Sequence, residues 1–295
     1  MSMAIPAVSF EFFPPGDEPM AQQLWQSVLR LAPLQPNFVS ITYGADGSTR
    51  DRTHAFVQRV LRETNLRVAP HLTCVGASRQ EVLAIAAGYW GQGVHDLVAL
   101  RGDASAAELA AGGGYRPHPQ GFGFASDLVR GLKQVANFEV SVAAYPEGHP
   151  ESGGVDADLE NLRRKVDAGA NRAITQFFFE TDVFLRYRDR CAAAGMQISI
   201  VPGILPITRF PQMLRFAARC GATVPEWLRS RFDGLDDDPE TRRMIAANVA
   251  IEQVQRLRQH GVDEFHFYTL NRGELAYAIC HALGLRPRVR EARVA

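Results

Sequence analysis

A closed (β/α)8 barrel is the fold class predicted by this 295-residue sequence. Three observations carry it. Eight short β-branched or aromatic runs alternate with amphipathic stretches, the pattern of parallel strands joined by crossover helices. Within most runs, bulky residues alternate with small or polar ones, as expected where one strand face meets helices and the other a crowded interior. No G-x-G-x-x-G follows the first run, so the competing doubly wound open sheet lacks its usual dinucleotide fingerprint.

The runs fall near 8–13 (VSFEFF), 37–42 (NFVSIT), 67–73 (RVAPHLT), 95–100 (HDLVAL), 138–144 (FEVSVAA), 172–178 (RAITQFF), 198–204 (ISIVPGI) and 264–269 (EFHFYT). Between them lie helical patterns such as MAQQLWQSVLRL, THAFVQRVLRET, RQEVLAIAAGYW and DADLENLRRKVDAG. On the first strand Val8, Phe10 and Phe12 oppose Ser9 and Glu11. On the second, Val39 and Ile41 oppose Ser40 and Thr42. On the third, Val68, Pro70 and Leu72 oppose Ala69, His71 and Thr73. On the fifth, Val140 and Val142 oppose Ser141, Ala143 and Tyr145. The sixth run breaks the alternation. Extra material separates the last two strands: a helix near 208–220, a connector, and a helix near 239–260. The 270–284 stretch then closes a single barrel domain over 1–295. In DGLDDDPE (233–240), Asp238 before Pro239 and Glu240 fits a helix N-cap better than a calcium loop. The Ala-, Gly- and Pro-rich 104–123 segment exceeds a usual βα connection and suits a ligand cover.

Composition excludes several functions. Hydrophobic residues make up 46% and charged residues 22%, with 32 basic and 32 acidic side chains, so the overall field offers nothing to nucleic acid. No signal peptide or membrane-length apolar run is present. The four cysteines (Cys74, Cys191, Cys220, Cys280) are scattered, without metal-ligand spacing, and suit reduced thiols in the cytoplasm. No metal is expected.

Barrel active sites form at the C-terminal strand ends. Gathered there are Glu11, Thr42, His71, Arg101, Asp103, Tyr145, Glu147, Gln176 and Tyr268. Glu11 sits among phenylalanines, a setting that disfavours the ionised form and raises a carboxyl pKa, as a general acid requires. The residues alone leave alternatives open. Glu11 could pair with a nearby arginine, His71 and Gln176 could be satisfied interior groups, and Arg101 with Asp103 could form a local ion pair.

At this point the sequence becomes recognisable. SFEFFPP, VSITYGA followed by DRTH, APHLTC, ALRGD, VAAYPEGHPE, RKVDAGANRAITQFFF, VPGILPI, FDGLDDD and HFYTLNR occur in that order from about residue 8 to 285. Together they resemble the bacterial 5,10-methylenetetrahydrofolate reductases. The resemblance implies a barrel flavoprotein with non-covalent FAD, reduced by NADH or NADPH. Methylenetetrahydrofolate then takes the same place in a ping-pong cycle, yielding 5-methyltetrahydrofolate for methionine synthesis.

The resemblance makes Glu11 the proton donor to folate N10 and places Asp103 near the flavin pyrimidine edge. It gives flavin contacts to Thr42, His71, Arg101, Ala143, Tyr145, Asp158, Asn161 and Lys165. Gln176, Phe216, Tyr268 and Arg272 fall on substrate-side positions. Phe124 stands where relatives often carry tyrosine, so one polar handle on the cofactor is missing. A homotetramer without a C-terminal regulatory domain is also implied. The competing readings are another barrel flavoprotein (a cyclic-amine oxidiser), a non-catalytic flavin- or folate-binding protein, and a metal-dependent aldolase weakened by the missing ligand cluster.

Overall fold

Pro202 interrupts the predicted seventh strand, and this break shapes the closure of the barrel. The computed structural model describes residues 4–44, 49–104, 110, 112 and 114–288. Its strands are β1 (Ala7–Phe12), β2 (Val39–Ile41), β3 (Val68–Thr73), β4 (Asp96–Leu100), β5 (Glu139–Ala144), β6 (Arg172–Thr175), β7 (Ser199–Val201), β8 (Gly203–Ile204) and β9 (Glu264–Tyr268). All pair in parallel, in the order β7-β6-β5-β4-β3-β2-β1-β9-β8. β7 pairs with β6 and β8 with β9, so the sheet returns to itself across Pro202. Proline has no N–H for the ladder. Its carbonyl still accepts from His266 N at 3.0 Å.

The helices are α1 (Glu18–Leu31), α2 (Arg50–Glu63), α3 (Arg79–Gly91), α4 (Ala125–Val135), α5 (Val155–Asp167), α6 (Thr181–Ala193), α7 (Phe210–Cys220), α8 (Glu226–Phe232), α9 (Pro239–Gln259) and α10 (Gly273–Ala282). Local chemistry sets several starts. Asp17 accepts from Met20 N at the head of α1. Ser78 and Glu81 form a reciprocal capping box on α3. Asp238 caps α9 by accepting from Thr241 N, as its sequence context predicted. The connector between α7 and α9 carries one short helix, α8, that the sequence pattern did not predict. The tail and the 104–123 segment lie partly outside the described residues (105–109, 111, 113 and 289–295).

Strand parity holds. Val8, Phe10, Phe12, Val39, Ile41, Val68, Leu72, Val140 and Val142 are buried in one core with the helices' apolar faces. A separate interior layer packs Phe38, Ala69, Val98 and Ile174. β6 breaks the alternation because small Ala173 faces the helix core while Ile174 fills the interior. Above that layer the inward residues turn polar.

Candidate active site

A cavity of about 500 Å³ opens at the C-terminal ends of the strands. Its walls include Glu11, Thr42, His71, Arg101, Asp103, Phe124, Ala143, Tyr145, Asp158, Asn161, Lys165, Gln176, Phe216 and Tyr268. These are all of the predicted site residues except Glu147 and Arg272; Arg272 is exposed at the N-cap of α10 and lines no part of the cavity. Glu147 is likewise turned away, accepting from Thr223 N at 3.0 Å.

Strand register builds the centre. Ser9 is the register partner of His266, and Glu11 that of Tyr268. Ser9 Oγ lies 2.8 Å from His266 Nδ1. His266 Nε2 lies 3.5 Å from Glu11 Oε2, and His71 Nε2 lies 3.4 Å from the same oxygen. His266 is fully buried, whereas the Glu11 side chain keeps 21% of its exposure.

The carboxyl pKa departs from the sequence-based expectation. Burial does push Glu11 up, but the His266 hydrogen bond and the charges of both imidazoles outweigh it, leaving it below its ordinary value. The aromatic neighbours point outward into the helix core, so Glu11 faces imidazoles. Burial lowers His71 to about 4 against the opposing pull of Glu11, so this ring is neutral at pH 7. His266 Nε2, 3.5 Å from Glu11 Oε2, stands at the limit of a hydrogen bond, and two proton arrangements would complete the Ser9–His266–Glu11 chain. When Ser9 donates to Nδ1, Nε2–H donates to an ionised Glu11. When Nδ1–H donates to Ser9, Nε2 accepts from a protonated Glu11.

His266 is the residue that sequence reasoning missed. Continuing the period-two reading along EFHFYT puts it on the same face as Tyr268, which was enough to find it.

Across the cavity, Lys165 Nζ donates to Ala143 O at 2.8 Å. Burial pulls it down to about 8, with the Asp158 carboxylate opposing. Asp158 is fixed by Ser152 Oγ, which donates to it at 2.7 Å. Arg101 does not pair with Asp103. It reaches Glu151 at 2.6 Å and stacks over Tyr115, 4.8 Å from the ring centroid. Gln176 Oε1 accepts from Phe177 N, Tyr268 OH donates to Thr175 O, and Phe216 stacks on Phe177 with centroids 5.2 Å apart. Burial raises the phenol pKa of both Tyr145 and Tyr268, so both are neutral donors. Phe124, 63% exposed, forms part of the rim.

Comparison with known proteins decides the family. The methylenetetrahydrofolate reductase family model matches residues 2–284. The chain belongs to the methylenetetrahydrofolate reductase family. It is 54% identical over 280 residues to the 5,10-methylenetetrahydrofolate reductase of Escherichia coli, covering 95% of this chain and 91% of the relative. The Pectobacterium carotovorum enzyme of the same name is 53% identical over 282 residues, covering 96% and 91%. Methylenetetrahydrofolate reductase (NADH) 1 of Arabidopsis thaliana is 34% identical over 95% of this chain, which spans 48% of the plant protein. Among solved structures, a Clostridium thermocellum protein described as binding two copies of 5-methyl-5,6,7,8-tetrahydrofolic acid superposes with a TM-score of 0.66. It covers 95% of this chain and 94% of its own at 13% identity, a likeness of fold. Family membership makes this reductase-like chain an oxidoreductase of folate one-carbon chemistry.

Proposed function

We propose that the protein is an FAD-dependent reductase converting 5,10-methylenetetrahydrofolate to 5-methyltetrahydrofolate, with NADH or NADPH as donor. The observation that carries this reading is Glu11 at the barrel mouth, an acid whose protonation is coupled to a buried histidine.

The residues fit a flavin dinucleotide. Thr73 Oγ1 and His71 Nε2 are buried without hydrogen-bond partners among the described residues, and both residues line the cavity. Orphaned polar atoms of this kind are costly unless a bound molecule satisfies them. Lys165, half-buried on the cavity wall, presents an amine that a phosphate would keep charged. Thr42, His71, Arg101, Ala143, Tyr145, Asp158 and Asn161 would complete the flavin site. When bound, the flavin supplies hydride acceptance from the nicotinamide and hydride delivery to the folate, in two half-reactions at one site.

Asp103 puts negative charge beside the ring system, while Gln176, Tyr268 and Phe216 hold the substrate. Glu11 gives its proton to folate N10 as the five-membered ring opens. In the open cavity Glu11 is ionised. A folate filling the mouth excludes its remaining water, and that desolvation raises the carboxyl pKa. His266 then accepts from the protonated acid through Nε2, steadied by Ser9. Among the described residues no helix is long and apolar enough to cross a membrane. We place the enzyme in the cytoplasm, where its four free thiols stay reduced.

Purified protein should be yellow, lose its flavin absorbance with NADH under anaerobic conditions, and regain it on adding methylenetetrahydrofolate. A colourless protein unable to take up FAD would sink the reading.

A further inference from the structure

The long connection after β4 is folded where the structure describes it, and it comes to rest behind the cavity wall. Arg79, the first residue of α3, donates from its backbone N to Gln120 O at 2.9 Å and from Nε to Gly121 O at 3.0 Å. Its guanidinium also lies over the Phe122 ring, 5.5 Å from the centroid. Phe122 is buried, and Gly131 on α4 leaves room for it: a Cβ there would lie 2.7 Å from Phe122 Cζ. Glycine inside a helix is less stable than alanine, a cost that burial of the ring offsets. Tyr115 OH donates to Phe122 O at 3.4 Å, which ties Tyr115 to this anchored part.

Tyr115 in turn backs Arg101, whose guanidinium stands 4.8 Å from the ring centroid. Arg101 Nη2 donates to Glu151 Oε2 at 2.6 Å, and its Nε to Gly102 O at 3.0 Å. Glu151 belongs to the loop between β5 and α5, which is itself pinned. Glu151 N donates to His149 Nδ1 at 3.1 Å, and Ser152 Oγ to Asp158 at 2.7 Å. Arg101, Glu151 and Asp158 line the flavin cavity, whereas Tyr115 does not. The guanidinium is therefore held on one face by an aromatic ring and at Nε and Nη2 by oxygen atoms. The rest of its N–H fork keeps no protein partner among the described residues.

We propose that Glu151 and Tyr115 are positioning residues that set the Arg101 guanidinium for the acceptor atoms of the dinucleotide, and so govern how long a non-covalent flavin is retained. This rests on the flavin reading above. A free arginine side chain loses rotamer freedom when it binds a ligand. Here the carboxylate and the ring have already removed much of that freedom, so less is lost per hydrogen bond formed. The ion pair also joins the connections that follow β4 and β5, adjacent strands of the sheet, and closes the wall between them. A carboxylate that competed with the cofactor for the cation would have the opposite effect, since its removal would tighten binding.

Fluorescence titration with FAD, and release of FAD from the loaded full-length protein, give readouts independent of turnover. Ion pairs as exposed as this one are individually modest, so Glu151→Ala should weaken FAD binding about three- to five-fold, mainly through faster release. Glu151→Gln keeps an acceptor for Nη2 and should recover part of the loss. Tyr115→Leu should cost about two- to three-fold, and Tyr115→Phe less, since the ring carries the cation–π contact. In an Arg101→Met background neither Glu151→Ala nor Tyr115→Leu should change FAD affinity further, because both act through the guanidinium. Tighter or unchanged FAD binding in Glu151→Ala overturns the proposal. So does a loss of the same size in the Arg101→Met background, which would make the effect one of loop folding. In both cases the wild type still takes up FAD, so the functional reading survives. A wild type that takes up no FAD overturns both.

Discussion

Glu11 draws its character from side chains on two other strands. His71 arrives from β3 and His266 from β9, and together they hold the carboxyl below its ordinary pKa although burial works the other way. Replacing His266 with phenylalanine removes its pull and leaves burial opposed by His71 alone, so the Glu11 pKa should rise. The folate half-reaction, followed by single turnover, should then keep its protonated-acid rate to higher pH than in wild type. An unchanged profile would show that His266 does not govern the proton. Lys165 supplies a second titration. Its pKa of about 8 lies below the ordinary lysine value. Phosphate binding favours the charged amine, so FAD affinity should fall as pH rises through 8. Lys165→Met should bind more weakly with a flat dependence over that range, measured by fluorescence titration. Equal slopes in the two proteins would remove Lys165 from the phosphate site. The acid itself was legible in VSFEFF, because a lone carboxylate on the small-residue face must point inward. Its pKa was not legible, because that depends on which imidazoles register brings against it.

The elements follow their local chemistry where caps and periods are strong, and they depart from it where closure imposes its own geometry. Asp238 before Pro239 announced α9 correctly. The seven-residue α8 was missed because EWLRSRF is too short to show a helical period, and its packing through Leu228 and Phe232 is tertiary. Strand seven reads as one apolar run, yet Pro202 divides it and Gly203 opens β8. A Cβ at Gly203 would lie 2.2 Å from Thr175 O and 2.5 Å from Tyr268 Cε2. Gly203→Ala must therefore push the Tyr268 ring from its bond to Thr175 O or part β6 from β8. Overpacking of this kind costs about 1–3 kcal/mol, a loss that thermal denaturation should register together with weaker substrate binding. Retention of wild-type Tm and KM would mean that the strand can move aside. Asn271→Ala should also destabilise, since its side-chain amide holds two left-handed residues in place.

At the scale of the whole molecule, the barrel collects residues from position 11 to position 268 around one mouth, lined almost throughout by groups that sequence order alone keeps far apart. The alternation of runs and helices made that gathering foreseeable; Arg101 with Glu151 and the isolation of Arg272 from the cavity came from loop paths that no period encodes. The central claim is that Glu11 donates the proton to the folate and is not needed for hydride uptake from the nicotinamide. Stopped-flow spectroscopy of Glu11→Gln, loaded with FAD, separates the two. The amide keeps size and polarity but carries no transferable acid proton, so NADH should bleach the flavin at close to the wild-type rate. Methylenetetrahydrofolate should then restore the absorbance about 10²–10⁴-fold more slowly, the range of a lost general acid. Reoxidation at the wild-type rate, or failure of both half-reactions with flavin still bound, would contradict the assignment.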